Sequence, residues 1–373
     1  MPDTTSPERS EKQMIKLSSE TRTVLKGTLI GLVSLFLSLV MVLLSAYFIL
    51  KPKYDQFLAA ADLSHNQFIS LIRQAYHQEQ SPILGQDHHL TFMVLGIDSL
   101  AQRTGSPPLT DTLLLAQLDL NETEITTISL PRDLWSEAYQ TKINALYTYG
   151  FDRYPGNPEK FPEMVVEKWA QHEIDQTIII SLEQLGQLID LVGGIEIEVK
   201  QGFSDPKFPR TDVDVTQVSD PDKLYETVEF EPGKQTMSGE RALKYIRSRH
   251  SQDDAGTDLA RNSRQQQVIN ALITRLSQAK LYWQQPVLAG KLLNYYQQNF
   301  DQYFKTSDLM TIGFKLGPNL TQLKFEAHTL PVYPDNEDGI IVHPEPSPEY
   351  QDQWIYLLKD KDEFANYIQD KLD

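Results

Sequence analysis

The segment from Ser238 to Leu276 concentrates guanidinium groups in an acidic protein. It carries Arg241, Lys244, Arg247, Arg249, Arg261 and Arg264 against Glu240, Asp253, Asp254 and Asp258, while the chain as a whole has a formal charge of −17. A guanidinium presents a planar fork of N–H donors that matches phosphate or carboxylate oxygens. Two readings follow: the arginines pair with neighbouring acids on a solvated face, or they bind an anionic ligand. Ser238 is placed to cap a short helix running to about Arg249, and a polar loop follows. Asp258 or Thr257 is placed to cap a second helix, because short oxygen-bearing side chains satisfy the free N–H groups of a first turn. On that helix Arg261, Arg264, Gln265 and Val268 share one face. Arginine in a first turn opposes the helix dipole by a few tenths to about 1 kcal/mol. An anion docked there reverses the sign. Arg247 and Arg249 are two residues apart, so on a continuous helix they point in different directions. Both serve one ligand only if the helix ends there or the segment is extended.

A second set of charged residues falls at strand ends. LTFMVLGID, DTLLLAQLDL and EITTISLP read as three strands, the last two close enough for a hairpin. The first ends at Asp98, the second starts at Asp111, and the third runs into Arg132 and Asp133. Strand ends are where open sheets host sites. KINALYTYG (142–150) and residues 158–173 read as helices, TIIIS as a buried strand, SLEQ (181–184) as a capping box, Gly193-Gly194 as a stop and IEIEV as a strand. Residues 201–233, rich in Pro and Asp, read as a polar excursion. Towards the C-terminus QLKFEAHTL is strand-like and DEFANYIQDKL is a terminal amphipathic helix. The apolar stripes Leu185–Val192 and Val268–Leu276 suit either ordinary core packing or the walls of a groove for a lipid. The expected fold is α/β, a three-layer αβα domain with a mixed central sheet.

These elements hang from an apolar segment. Gly27 to Leu50 is an uncharged run, long enough as a helix to cross a hydrocarbon core of roughly 30 Å. Arg9, Lys12, Lys16, Arg22 and Lys26 precede it, and Lys51 and Lys53 follow. This asymmetry predicts a single-pass protein of the cell membrane with a cytoplasmic N-terminus and an extracytoplasmic C-terminal domain. The part beyond residue 50 carries a charge of −18, which argues against nucleic acid as a partner. There is no cysteine, hence no disulfide and no thiolate chemistry. The expected organisation is a cytoplasmic tail (1–26), a transmembrane helix (27–50), a helical stalk and linker (51–87), a globular domain (88–280) and a C-terminal extension (281–373) packed on that domain or following it.

Six motifs come in order: GID (96–98), TDT (110–112), SLPRD (129–133), KINALYTYG (142–150), LVGGIEIEV (191–199) and YIRSR…D…R..RQQ (245–266). Together, and with the membrane helix, they resemble the LytR–CpsA–Psr family of cell-envelope proteins over roughly residues 88–280. The resemblance implies a phosphotransferase that moves a glycopolymer from a polyprenyl diphosphate carrier to peptidoglycan or another wall acceptor. It implies Mg²⁺ (or Mn²⁺) held by Asp98 and Asp111. It also implies a diphosphate clamp of Arg132, Arg247, Arg249, Arg261 and Arg264 with Gln265, helped by Lys142 and oriented by Asp133 and Asp258. The sequence departs from the family pattern at Leu100 and Leu109, where members often carry arginine, and at Ala260, where glycine is common. Arg103, between the two leucines, is the candidate substitute. A hydrolase that uses water as acceptor would need the same clamp. A non-enzymatic module that holds an anionic polymer, or a regulator, is the third reading.

Overall fold

The computed structural model describes residues 19–77, 89–97, 108–210, 213, 220–251, 254–278, 282 and 284–372. The chain forms two compact units, one ending at Gln56 and one running from Phe57 to Asp373. The first is built from a long helix, α1 (Ser19–Ala61), whose last turn belongs to the second unit. Residues 34–61 of α1 are long and apolar enough to cross a membrane. Leu35, Phe36, Met41, Val42, Leu43 and Phe48 are all exposed along it. So much contiguous apolar surface in water is unfavourable, and a bilayer is compatible with it.

The second unit is organised on a five-stranded sheet. Its strands are β1 (His89–Ile97), β2 (Thr110–Asp119), β3 (Glu124–Leu130), β6 (Gln176–Ser181) and β11 (Lys324–Thr329), in the order β11-β3-β2-β1-β6. β1, β2 and β3 are antiparallel neighbours, while β6 and β11 add to the two edges in parallel. The sheet is therefore mixed, as expected. Alternation along each strand sends side chains to two faces. Met93, Leu95, Leu113, Leu115, Ile128 and Leu130 face a core filled from α3 (Ile143–Arg153), α4 (Lys160–Ala170) and α10 (Lys361–Leu372). Leu90, Phe92, Leu118 and Ile125 face the other way, towards Ile312 and Leu316 of α9 (Thr306–Leu316). This is the three-layer arrangement.

A second core lies beside the sheet. α5 (Leu182–Leu191), opened by the capping box of Ser181 and Gln184, is followed by Gly193 and Gly194 at positive φ and then by β7 (Ile195–Val199). β7 pairs with β10 (Gly233–Met237). α6 (Gly239–Arg247) and α7 (Asp258–Leu276) close the cluster. Gly186 of α5 and Gly239 of α6 approach so closely that a Cβ on Gly239 would meet the Gly186 carbonyl oxygen at 2.1 Å. Ile189, Val192, Val268 and Leu272 of the two apolar stripes are buried here, and Leu185, Leu188 and Leu276 pack half-buried against them.

Four regions differ from their sequence reading. The expected excursion over 201–233 contains an antiparallel strand pair, here called the β8–β9 hairpin: β8 (Phe203–Pro209) pairs with β9 (Tyr225–Phe230) and buries Phe203, Phe208, Val228 and Phe230. The stalk expected over 51–87 is in part body, because α2 (His65–His77) packs on α9, with Ala75 buried and its carbonyl accepting from Thr311 Oγ1 at 3.1 Å. Residue 280 is no boundary of the fold. The region after it supplies the edge strand β11 and helix α10, whose Phe364 and Ile368 are fully buried in the main core. The strand β6, expected to be buried, is instead a half-buried edge strand.

Candidate active site

The site grows from the ends of β2 and β3. Thr110, fully buried, donates its hydroxyl to Asn144 O at 3.2 Å and fixes the start of β2 against α3. The next residue, Asp111, turns its carboxylate outward. β3 ends at Leu130, and Pro131 closes the strand because it donates no N–H to continue the ladder. The turn that follows is tied down by backbone bonds: Asn144 N donates to Arg132 O, Ile143 N to Leu134 O and Tyr356 N to Asp133 O, at 3.2, 2.7 and 3.0 Å. Arg132 is thereby aimed at Asp111, with Nη1 2.5 Å from Oδ1, while its Nε lies 3.4 Å from Asp133 Oδ2. Lys142 precedes α3 in extended conformation and places Nζ 2.6 Å from Asp133 Oδ1. Asp133, largely buried, thus orients Arg132 and is itself held by Lys142.

The arginine-rich stretch reaches the same place from the second core. Ser238 caps α6 by accepting from Arg241 N. α6 ends at Arg247, and Ser248 is extended. That break resolves the two-residue spacing. Arg247 lies over the Phe208 ring at 5.6 Å, whereas Arg249 points across to Asp111, with Nη2 3.4 Å from Oδ1. Thr257, not Asp258, is the residue that caps α7, accepting from Ala260 N at 3.2 Å. Arg261, buried, lines a cleft of about 310 Å³ with Arg132, Asp133, Ser129, Gln266 and Tyr356. Gln266, not Gln265, faces this cleft and donates to His328 O at 3.2 Å.

Arg264 departs from its expected role. Its Nε, Nη1 and Nη2 donate to the carbonyls of Tyr245, Ala255 and Ser248 at 2.8, 2.7 and 2.6 Å, and its guanidinium stacks over Phe203 at 4.8 Å. It braces the end of α6 against α7 rather than joining the cluster at Asp111. Asp98, Arg103 and Leu100 lie outside the described residues, as does the side chain of Asp258. Leu109 is exposed beside Asp111. One contributor escaped the sequence reading: Asp205, fully buried on β8, whose Oδ2 accepts from Arg249 N at 2.9 Å. Its signal was an acid at an inward position between Phe203 and Phe208, legible only once the hairpin is recognised.

Arg132, Arg249 and Lys142 converge on Asp111 and Asp133, and Arg261 lines the adjoining cleft. Guanidinium forks gathered at strand ends have the geometry to receive phosphate or carboxylate oxygens. The sequence profile of the LytR_cpsA_psr family matches residues 61–357. The chain belongs to this family. Among relatives, it is 32% identical over 195 residues to the Bacillus subtilis polyisoprenyl-teichoic acid–peptidoglycan teichoic acid transferase TagV, covering 51% of this chain and 44% of that protein. It is 26% identical over 278 residues to the Oceanobacillus iheyensis transferase TagU of the same description, covering 74% of this chain and 78% of TagU. The aligned region thus spans less than half the length of TagV. A solved Streptococcus agalactiae structure superposes with a TM-score of 0.52 at 20% identity, over 79% of this chain and 91% of that one, and shares the fold.

Proposed function

We propose that this family member is a membrane-anchored phosphotransferase that moves a glycopolymer from a polyprenyl diphosphate carrier to peptidoglycan or another wall acceptor. The observation that carries the reading is the convergence of Arg132 and Arg249 on one oxygen of Asp111 at the strand ends. Two guanidinium forks that share a single carboxylate oxygen are spaced for a second anion, and a diphosphate offers the oxygens to fill both. The names of TagV and TagU, both teichoic acid transferases, support the substrate class. Residues 27–50 would keep the domain beside the lipid surface, with the N-terminus cytoplasmic and the larger unit extracytoplasmic.

In the reaction, an acceptor hydroxyl attacks the sugar-side phosphorus and a new O–P bond forms. The bond from that phosphorus to the bridging oxygen breaks, its electron pair leaves with polyprenyl phosphate, and the hydroxyl proton is released. Arg132, Arg249 and Arg261 hold the diphosphate and are pre-aimed at charge that builds on the bridging oxygen, the main source of rate in such transfers. Asp133 and Lys142 keep Arg132 in that pose.

The donor set suits Mg²⁺ or Mn²⁺. The ion pairs of Asp111 all fall on Oδ1, so among the described residues Oδ2 has no protein partner. No group of three His, Cys, Asp or Glu side chains able to hold a metal occurs among the described residues. A hard cation bound by one or two carboxylates and completed by substrate phosphates needs no more. Asp111, with Asp98, would hold it, and it would supply neutralisation of diphosphate charge.

The test uses the full chain in detergent with a polyprenyl diphosphate-linked sugar, with and without a glycan acceptor. The expected outcome is acceptor-dependent coupling that EDTA abolishes and Mg²⁺ or Mn²⁺ restores. Equal release of sugar phosphate without acceptor would make the protein a hydrolase. Full coupling by Asp111→Ala would remove the metal-assisted account.

A further inference from the structure

The arginine-rich stretch is received almost residue by residue by the β8–β9 hairpin. Arg241 stacks on Phe230 at 4.0 Å and donates to Glu229 O, Arg247 lies over Phe208, and Arg264 lies over Phe203. Arg249 instead turns its guanidinium to Asp111, while its backbone is gripped by the hairpin. The grip is Asp205. The β8 pattern buries Phe203, Asp205 and Phe208, with a register shift between the last two. An acid at such a position breaks the inward apolar pattern, and a buried carboxylate is tolerated only when its oxygens are satisfied.

Those of Asp205 are satisfied by the site loop. Oδ2 accepts from Arg249 N at 2.9 Å and His250 N at 3.3 Å. Oδ1 accepts from Lys207 N at 3.0 Å and lies 3.6 Å from His250 Nδ1. The Arg249 side chain is 42% exposed, so its pose depends on how its backbone is anchored. A long side chain on an unanchored loop would have to be ordered at every binding event, at the expense of affinity.

We propose that Asp205 is a positioning residue for the anion clamp: it fixes the Arg249 backbone so that the guanidinium is already directed at the diphosphate when substrate arrives. The proposal rests on the clamp reading above and adds a residue that never touches substrate. It predicts that Asp205 acts through Arg249 alone. An asparagine keeps the shape of Asp205 but offers one acceptor oxygen where three backbone N–H groups converge, so the loop loosens.

The experiment is a double-mutant cycle on the full chain in detergent, with inorganic diphosphate as the probe and titration calorimetry as the readout. Asp205→Asn and Arg249→Ala are each expected to weaken binding about tenfold, and the double variant no more than Arg249→Ala alone, since coupled sites are non-additive. Additive losses, or wild-type affinity in a folded Asp205→Asn, would overturn the positioning role. Absence of diphosphate binding by the wild-type chain would instead overturn the clamp reading, so the two failures are distinct. If Asp205→Asn does not fold, amide hydrogen exchange of the wild-type chain decides. Slow exchange at Arg249 and His250, despite their exposed side chains, is required, and exchange at the free-loop rate sinks the proposal.

Discussion

Arg249 and Arg264 leave one short stretch and meet opposite fates. Arg264 is buried, and its donors close on three backbone carbonyls and an aromatic ring. Arg249 is partly exposed and holds one long contact to a carboxylate that a ligand can replace. The first arginine is committed to the fold and the second, on the clamp reading proposed above, is left for the ligand, although residue type, local charge and sequence neighbourhood are the same. What separates them is the backbone. Arg264 lies inside α7, facing the end of α6, while Arg249 follows the break at Ser248. Guanidinium chemistry alone therefore does not identify a clamp. The decisive question is whether the donors are already committed to groups that cannot leave.

The largest expected effect breaks the comparison on the structural side. Arg264→Met retains much of the stem but withdraws charge-assisted donors from three carbonyls. Each carbonyl left unpaired costs about 1–3 kcal/mol, so stability falls by roughly 3 kcal/mol or more. Chemical denaturation reads this loss. If the variant unfolds like the wild type and loses only transfer, Arg264 belongs with the substrate and the division drawn here is wrong.

The next effect is read on the functional side. Arg249→Ala removes an exposed side chain whose ion pair is worth little, so its unfolding midpoint should stay near the wild-type value. Acceptor-dependent transfer should fall by about a hundredfold, the scale of losing one pre-aimed donor to developing charge. A variant that keeps its rate would assign the clamp to Arg132 and Arg261 alone.

Much of this arrangement could be read from the chain. The three sheet strands, the capping box at Ser181, the double-glycine stop and both arginine helices follow from local periodicity and end signals, and the structure keeps them. The strand-end grouping of Asp111, Arg132 and Asp133 was visible because Pro131 punctuates β3. The β8–β9 hairpin was not, because Pro206, Pro209 and a bulge at Asp205 interrupt the alternation that would have marked β8. Nor was the place of β11, whose partner β3 lies far away in sequence, with Lys324 opposite Glu124. No local pattern encodes such a pairing. The role of Arg264 was hidden for a related reason. Its acceptors are carbonyls of other segments, and carbonyls leave no trace in side-chain chemistry.

The smallest expected effect concerns how firmly the hairpin is held to α6. Lys244 reaches Glu226 of β9 at 3.0 Å and Glu240 of its own helix at 2.9 Å. Burial pushes its pKa down, but the two glutamates outweigh that and hold it above the ordinary 10.5. A lysine raised in this way contributes stability that is fully present below its unfolded pKa and is lost as pH rises through the folded one. Lys244→Gln should therefore cost about 0.5–1 kcal/mol near pH 7. The gap to the wild type should narrow in alkaline solution, above 10.5. Denaturation curves at neutral and alkaline pH test the sign. Diphosphate affinity should barely change, because Lys244 anchors β9 while Arg249 depends on Asp205 of β8. If affinity falls with stability in this variant, the hairpin acts on the clamp as a whole rather than through one carboxylate.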